Sequence, residues 1–463
     1  MTHSSNGKAT TIAGAVSLLA LLSACGGSSD DGAGDIPTIP GDDSALGSDG
    51  ATADSGLKTD GAAPTDGGPT LDSSAPPGDG GPKTDSAAPT DGAVPTDGGA
   101  PSDAGSDTGT PTDVGTGSTA GNPDGSCKAG VPALGVAADV SKPTTVVGTG
   151  TASSCTYAAL AAAVTTGGVV TFNCGGAPVT IRVTATLKPP ITKNTVIDGG
   201  NKITLVGGGA VQILRFDSPD FRANENRLTL QHLTLTNGKM TPTAAIPVHP
   251  APCSQGWNDG EGGALYMRDG NLTVVDCFFT NNQAAPLGPD TGGGAIYLLG
   301  SKHGAVIVKS TFTGNQASNA GAIGGLFAEL GIYDSLFSGN KAIGNGANSD
   351  DATKCSFINN GQHEVGSGGN GGAIYNDGAS VNVTLCGDKI VGNAAGTGAF
   401  GGGLFFTSND FGGTLSITDT TMTGNTGGHW TSVASGSVTN AGTAVGTNAK
   451  SITITDSTLQ GVP

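Results

Sequence analysis

One five-residue phrase decides how this sequence is interpreted. GGAIY stands at Gly293–Tyr297 and again at Gly371–Tyr375, with a near-copy, GGALY, at Gly262–Tyr266 and a looser one, GGGLF, at Gly401–Phe405. Each copy is followed by a run rich in Val, Ile, Leu and Thr that ends at an asparagine. A unit that recurs every ~25 to 33 residues indicates a repeat architecture in which each unit packs on its neighbours.

The runs that follow the phrase align on one apolar position, occupied by Phe279, Phe312, Phe337, Ile390 and Met422. A second apolar position lies five residues earlier, at Val274, Ile307, Ile332, Leu385 and Ile417. Three residues after the first position every copy has an asparagine, at Asn282, Asn315, Asn340, Asn393 and Asn425. Stacked repeats would bury the apolar positions in one continuous core. We expect the asparagines to form a hydrogen-bonded ladder at one turn.

Within the phrase, alternate residues belong to opposite faces of a strand. Gly263 and Leu265 therefore face the core, and Tyr266 takes the other side. Ahead of the repeats, Cys155–Val164 reads as a short helix that Gly167 stops. The sequence predicts an all-β solenoid with a short N-terminal capping helix.

The composition separates an acidic segment from a nearly neutral remainder. The net charge is −18, and residues 26–126 hold 18 aspartates, no glutamate and two lysines. This segment consists mostly of Pro, Thr, Asp, Gly, Ser and Ala, so it has little apolar surface to bury. We predict a disordered tether over residues 25–126 and one folded region over residues 127–463. Nothing in the charge pattern indicates a nucleic-acid partner.

The first 24 residues have the pattern of a bacterial export signal. Thr11–Leu22 is an apolar stretch too short to span a bilayer, and Leu22–Cys25, LSAC, resembles the lipobox of bacterial lipoproteins. That resemblance implies a signal peptide over residues 1–24 and a lipid on Cys25, which would be the attachment to the membrane. An ordinary signal peptide that ends near a cysteine is the alternative. We expect a lipid-anchored protein of the bacterial cell envelope, at the outer membrane, with the leaflet left open.

The pairing of GGA[IL] with FxxN resembles the repeats of chlamydial polymorphic outer-membrane proteins. The FxxN copies are Phe279–Asn282, Phe312–Asn315, Phe337–Asn340 and Phe357–Asn360. More broadly, the pattern is similar to pectin-lyase-like proteins, and it implies a single-stranded right-handed parallel β-helix over about residues 150–463. Because the sequence ends at Pro463, we expect no C-terminal translocating barrel. That superfamily includes polysaccharide lyases, hydrolases, adhesins and stalks, so the resemblance leaves function open.

Seven cysteines follow Cys25, which fits an oxidising compartment. Cys155 and Cys174 flank the capping helix and are the first candidates for a disulfide. Two further candidate disulfides join Cys253 to Cys277 and Cys355 to Cys386. Cys127 then has no predicted partner. No spacing of cysteines and histidines indicates a zinc site.

Few residues offer catalytic chemistry. Asp259 and Asp290 each lie three residues before the first glycine of the phrase, so stacking would bring them together, with Glu261 and Arg268 near in sequence. Neighbouring carboxylates and a basic residue are the minimum for a Ca²⁺-assisted lyase or an acid/base hydrolase. The competing interpretation is that Asp and Gly simply form turns. The histidines are scattered, and we interpret them as surface residues. We expect neither a metal nor a cofactor, and no sequence motif supports a Ca²⁺ site.

The tyrosines of the phrase offer a binding hypothesis. Tyr266, Tyr297 and Tyr375 share one strand position opposite the core, so stacked repeats would align their rings along a lateral wall that suits sugar faces. Alternatively, the long segments beside them bury the rings as a packed cluster. The leading function is a non-catalytic, adhesin-like β-helix that binds glycan or a partner surface. A polysaccharide lyase or glycoside hydrolase acting on an acidic polysaccharide, and a structural stalk or coat component, are the alternatives.

Overall fold

A computed structural model describes residues 119–243, 260–288, 291–344, 368–396, 399–408, 410–427, 437–438 and 445–460. The signal peptide, Cys25 and the tether up to residue 118 lie outside these residues. So do Asp259, Asp290, Cys253 and Cys355. In the described part, no helix is long and apolar enough to cross a membrane.

Parallel β-strands make up most of the described chain. Helix α1 spans Tyr157–Thr166, and short 3-10 turns lie at Ala133–Gly135 and Ala152–Ser154. The first strands are β1 Thr145–Val147, β2 Gly168–Phe172, β3 Val179–Arg182, β4 Thr195–Val206, β5 Leu214–Asp217, β6 Arg227–Thr236, β7 Leu265–Arg268, β8 Asn271–Val275, β9 Phe278–Thr280, β10 Ile296–Leu299, β11 Ala305–Val308, β12 Thr311–Thr313, β13 Gln316–Ala317 and β14 Ile323–Leu326. The remainder are β15 Leu330–Tyr333, β16 Leu336–Ser338, β17 Lys341–Ala342, β18 Ile374–Asp377, β19 Asn382–Cys386, β20 Lys389–Val391, β21 Leu404–Thr407, β22 Thr414–Thr418, β23 Thr421–Thr423, β24 Ser437–Val438, β25 Val445–Asn448, β26 Ser451–Thr455 and β27 Thr458–Leu459.

The strands form a large sheet of 17 strands, a second sheet of eight and a pair, β13 with β17. Each repeat gives the second sheet one strand and the large sheet two. In the second sheet β5, β7, β10, β14, β18, β21 and β25 pair in parallel, each with the next. The large sheet contains two series that pair in the same way. One series is β8, β11, β15, β19, β22 and β26. The other is β9, β12, β16, β20, β23 and β27. The predicted all-β class with stacked parallel strands is confirmed at this level.

The register agrees with the alignment made from the sequence. Phe279 pairs with Phe312, Phe312 with Phe337, and that column continues through Ile390 to Met422. The three phenylalanine rings are fully buried and stack face to face, with centroids 4.8 Å and 4.7 Å apart. Side chains from both large sheets join in one hydrophobic core. Burying each such ring contributes about 2–3 kcal/mol, which is how the repeats stabilise one another.

The asparagine column forms the expected ladder. The side-chain amide of each asparagine donates to the next at 2.9 Å, from Asn282 through to Asn425. Each Nδ2 also donates to a backbone carbonyl of the preceding repeat, such as that of Phe312 at 2.9 Å from Asn340. These amides are almost completely buried, and their mutual bonds satisfy groups that would otherwise cost free energy.

A tight corner separates the two strands that each repeat adds to the large sheet. Its residues have left-handed backbone, with φ of 53° at His232, 51° at Asp276, 45° at Lys309, 53° at Asp334, and 50° at both Asp419 and Asp456. We call these residues, with Gly387, the corner column. Asp, Asn and Gly tolerate this conformation best, and most members are aspartate for that reason.

A second column of small polar groups follows directly after the corner, at Cys277, Ser310, Ser335, Asp388, Thr420 and Ser457. From Ser310 onward, each side chain accepts from the backbone N–H of the preceding member. Cys277 is a free, fully buried thiol whose pKa is raised to about 12, mainly by burial. The expected bridge from Cys253 to Cys277 is therefore wrong, because Cys277 faces the interior.

The capping helix begins two residues later than predicted. Thr156 is its N-cap and accepts from the Ala159 amide at 3.2 Å, and Gly167, with φ of 67°, ends it. Leu160 is among the residues that bury its inner side against the sheet end. Cys155 and Cys174 form a disulfide, the pairing that the sequence favoured.

Residues 119–140, here called the N-terminal strap, lie against the large sheet. Gly121 N–H donates to Thr311 Oγ1 at 2.9 Å, and the Asn122 side chain donates to the Gly387 carbonyl at 2.9 Å. A disulfide joins Cys127 to Cys386, 259 residues away in sequence. Three predictions are corrected here. Cys127 is not left over and Cys386 does not pair with Cys355, because the strap brings Cys127 to the end of β19. Sheet contacts begin at Gly121, inside the segment predicted as tether.

Candidate functional site

A cluster of charged and aromatic side chains lies where β5 and β7 pair in the second sheet. Arg215 donates to Asp217 at 2.8 Å and 3.0 Å, and its guanidinium stands 4.2 Å from the centroid of the Tyr266 ring. Arg268, a predicted catalytic residue, donates to the Ser218 carbonyl at 2.8 Å and lies 2.7 Å from the other Asp217 oxygen. One carboxylate thus balances both arginines, and Arg268 is held by groups of the protein itself.

The other predicted catalytic residues give no acid/base pair in the described chain. Glu261 is only 4% exposed, and its backbone carbonyl accepts from the Gln212 side chain at 2.9 Å. Its carboxylate lies near enough to Tyr266 to raise the pKa of that tyrosine. Asp259 and Asp290 lie outside the described residues. Sequence reasoning grouped Glu261 with Arg268, and the structure adds Tyr266 to their neighbourhood.

The tyrosines of the phrase stack as the alignment expected. Tyr266 pairs with Tyr297 in the sheet, and their rings are parallel with centroids 6.3 Å apart. However, the rings are buried, with exposures of 4% for Tyr266, 2% for Tyr297 and 5% for Tyr375. The prediction of an open platform for sugars is wrong, because packed neighbours already occupy the ring faces.

A glycine interrupts the aromatic column. Gly324 lies between Tyr297 and Tyr375 in the register, and the Tyr297 ring leans over it: a Cβ there would meet that ring at 2.7 Å. Beyond the gap, Tyr375 stacks on Phe405 at 5.2 Å and Phe400 meets Phe405 edge-on at 5.5 Å. Tyr375 also donates to Asp377 at 2.9 Å. These rings form a small separate apolar cluster with Ala320.

The cluster around Tyr266 suits packing better than proton transfer. Burial is the main cause that raises the pKa of Tyr266, followed by the charges of Glu261 and Asp217. Its phenol therefore stays neutral over the physiological range, and it supplies no base. Its role is to fill space between Arg215 and Tyr297.

A different pair of residues, which sequence reasoning missed, has the geometry of an oriented imidazole. His232 Nδ1 lies 3.2 Å and 3.3 Å from the two oxygens of Asp198. The same carboxylate accepts from Gly200 N–H at 2.7 Å and from Gln231 Nε2 at 2.7 Å. Gln231, in turn, exchanges hydrogen bonds of 2.8 Å and 3.1 Å with the backbone of Ala138 in the strap. Asp198 is nearly buried, whereas the His232 side chain is 26% exposed.

The Asp198–His232 pair borders a groove of about 470 Å³. Its rim includes Asn173, Gly175, Ala177, Asn201, Lys202 and His232. Strand β4 bulges beside the groove. Its pairing with β6 shifts register between Asp198 and Ile203, so that the four residues 199–202 lie opposite the single residue His232. Such bulges commonly re-aim side chains beside binding sites. The sequence signal that was available is VIDGG followed by Asn201 and Lys202, in which the glycines permit a bulge.

No cluster of three or more potential metal ligands occurs among the described residues. The chain matches no protein-family model, and it shows no significant similarity to a curated protein or to a solved structure. Its own geometry therefore has to support any assignment of function.

Proposed function

We propose that this protein is a lipid-anchored component of a bacterial envelope whose folded region binds glycan without cleaving it. The observation that carries the proposal is the in-register stacking of repeats in two long parallel sheets. Stacking of this kind gives an extended, rigid lateral surface, which solenoid proteins commonly use for binding. The tether and the lipobox sequence supply the means of display.

The proposed architecture is a right-handed parallel β-helix of the pectin-lyase-like kind. Support comes from the order of the strands, since each repeat passes once through the second sheet and twice through the large sheet before the next repeat pairs with it. Crossovers between parallel strands are right-handed in nearly all proteins. The helix α1 would then cap the N-terminal end of the coil.

The contacts and burial of the predicted catalytic groups support the proposal of binding without catalysis. Arg268 is bound to Asp217 and Ser218, and Glu261 is buried. A lyase or hydrolase needs a basic group and carboxylates that converge on open space. In the described chain, the groups around β5 and β7 converge on one another instead.

The anchoring half of the proposal is tested with Cys25→Ser. A lipid on Cys25 would be the attachment, so the variant should move from the membrane fraction to the soluble fraction after cell breakage. The matched control is Cys277→Ser, which keeps the anchor and changes a buried thiol. Membrane retention of Cys25→Ser would show that the lipobox assignment is wrong.

The binding half is tested with the purified full chain on an array of neutral and acidic glycans. We expect saturable binding to a subset of them. Absence of binding to every glycan and to bacterial or host cell surfaces would favour a structural stalk.

A further inference from the structure

We propose that the N-terminal strap is a load-bearing clasp, which passes tension on the preceding chain to β19 and spares the capping helix and the first repeats. The described chain begins at residue 119, ahead of every helix and strand of the described part. In a plain stack each repeat contacts only its neighbours, so tension at this end would detach the first repeat and then the next. The contacts of the strap move the point of load away from that end.

The first part of the strap follows the corner column across several repeats. Asn122 binds at two neighbouring corners, because its N–H donates to the Asp334 carbonyl at 2.8 Å and its side chain donates to that of Gly387 at 2.9 Å. Lys128 reaches the next corner, where its ammonium lies 2.5 Å from the Asp419 carboxylate. The strands that lead to the first and last of these corners, β15 and β22, lie on opposite sides of β19. The strap therefore bridges repeats that are not direct neighbours.

A covalent bond joins the strap to the middle of this route. Cys127 forms a disulfide with Cys386 at the end of β19, and the two residues are only 8% and 4% exposed. Strand β19 has five residues and pairs on one side with β15 and on the other with β22. Tension that arrives through Cys127 therefore meets an interior strand with hydrogen bonds along both edges.

Beyond the disulfide, the strap turns back toward the first repeats. Gly130 N–H donates to the Cys127 carbonyl at 3.0 Å, and Ala138 N–H donates to the Gln231 side chain on β6 at 2.8 Å. Strand β1 follows, with three residues that pair with β2. The disulfide closes residues 128–385 into a loop that contains α1 and every strand from β1 to β18. Tension on the preceding chain reaches this loop only through β19 and its neighbours.

The source of tension rests on the proposed function, because a chain held by a lipid at one end and by a bound glycan at the other would be pulled between them. The clasp itself depends only on contacts within the folded region. It can therefore fail in an experiment while glycan binding stands.

The test stretches single molecules of the purified full chain between a handle in the predicted tether and a handle at the C-terminal end. When the folded region unfolds, we expect the parent chain to release only the residues beyond Cys386. Replacing both Cys127 and Cys386 by alanine should release residues 128–463, which is about four times the extension at ~3.5 Å per residue.

The matched control replaces Cys155 and Cys174 by alanine, which loosens the cap and keeps the clasp. With the clasp in place, this variant should unfold at the force of the parent and with the same extension. In the background that lacks Cys127 and Cys386, the same change should lower the unfolding force, because tension then acts on the cap first.

Release of the whole folded region by the parent chain would overturn the proposal, and that result requires no variant to fold. A lower unfolding force in the cap variant would also overturn it, since tension would then reach α1 despite the disulfide. An unchanged extension after removal of Cys127 and Cys386 would show that the disulfide carries no load. Glycan binding measured on the same parent chain separates these outcomes from failure of the proposed function.

Discussion

Asp388 is the one acidic residue in a buried column where the other members are Ser, Thr or Cys. Its carboxylate accepts from Ser335 N–H at 2.7 Å and from Cys386 N–H at 3.0 Å, and it is fully buried. Burial is the main cause that raises its pKa well above the ordinary value, and the charge of Asp334 adds to it. The hydroxyl members differ from Asp388 because they can also donate: Ser335 Oγ donates to the carbonyl of Tyr333 at 2.9 Å.

The first prediction follows for Asp388→Ser. A carboxyl group whose pKa is higher in the folded state than in the unfolded state binds more protons when the protein is folded. The free energy of unfolding therefore falls as pH rises from the unfolded-state pKa to the folded-state pKa. The variant should therefore gain about 1 kcal/mol in free energy of unfolding at neutral pH, with little gain at about pH 4. Urea unfolding at several pH values measures this difference. A loss of stability at neutral pH would show that the two accepted hydrogen bonds outweigh the desolvation of the charge.

At the residue scale, the sequence predicted the strand positions of side chains better than it predicted their exposure to solvent. The column of Tyr266, Tyr297 and Tyr375 was found by counting alternate residues along a strand. Whether a ring at such a position meets solvent depends on residues far away in sequence, such as Arg215 over Tyr266 and Phe405 beside Tyr375. The Asp198–His232 contact was missed because it depends on a bulge in β4, which strand periodicity does not reveal.

At the scale of elements, the asparagine ladder ties consecutive repeats together. Asn340 is an interior member that accepts from the backbone N–H of Asn315 at 3.0 Å and donates to the carbonyl of Phe312 at 2.9 Å. We predict that Asn340→Ala lowers the free energy of unfolding by about 3 kcal/mol, because it leaves two buried backbone groups without partners. Lys341→Ala, at the exposed neighbouring position, should change it by less than about 0.5 kcal/mol. Equal effects in chemical unfolding would mean that the ladder adds no stability.

The strap supplies the next prediction. The Cys127–Cys386 disulfide closes a very long loop, and Lys128 N–H beside it donates to Asp419 at 3.0 Å. Replacing both cysteines by alanine should free the strap backbone around Lys128 for cleavage by trypsin and lower the free energy of unfolding by about 2–5 kcal/mol. The control replaces Cys155 and Cys174, which should loosen the cap and leave the strap protected. Unchanged cleavage after Lys128 would show that its hydrogen bonds alone hold the strap.

Several elements followed from the sequence and others did not. The apolar and asparagine columns were predicted in their correct register because a repeat with a fixed offset allows few alternatives. The copy of the phrase at β14 escaped notice because Gly324 replaces its tyrosine and Ala320 its first glycine. The strap also escaped notice, since its composition continues that of the tether and only Cys127 marks its attachment.

For the whole molecule, we propose an anchored tether followed by a rigid stack of repeats. The charge distribution agrees with this division, since the acidity is concentrated before residue 127. A folded region that is close to neutral is able to meet an acidic glycan without strong repulsion.

Incubation of the purified full chain with polygalacturonate, with bound polymer and newly formed chain ends measured in the same sample, tests the central claim most directly. We predict saturable binding, with no increase in reducing ends or unsaturated products over time. A steady increase in chain ends that scales with protein concentration would contradict it and identify the protein as a polysaccharide-cleaving enzyme.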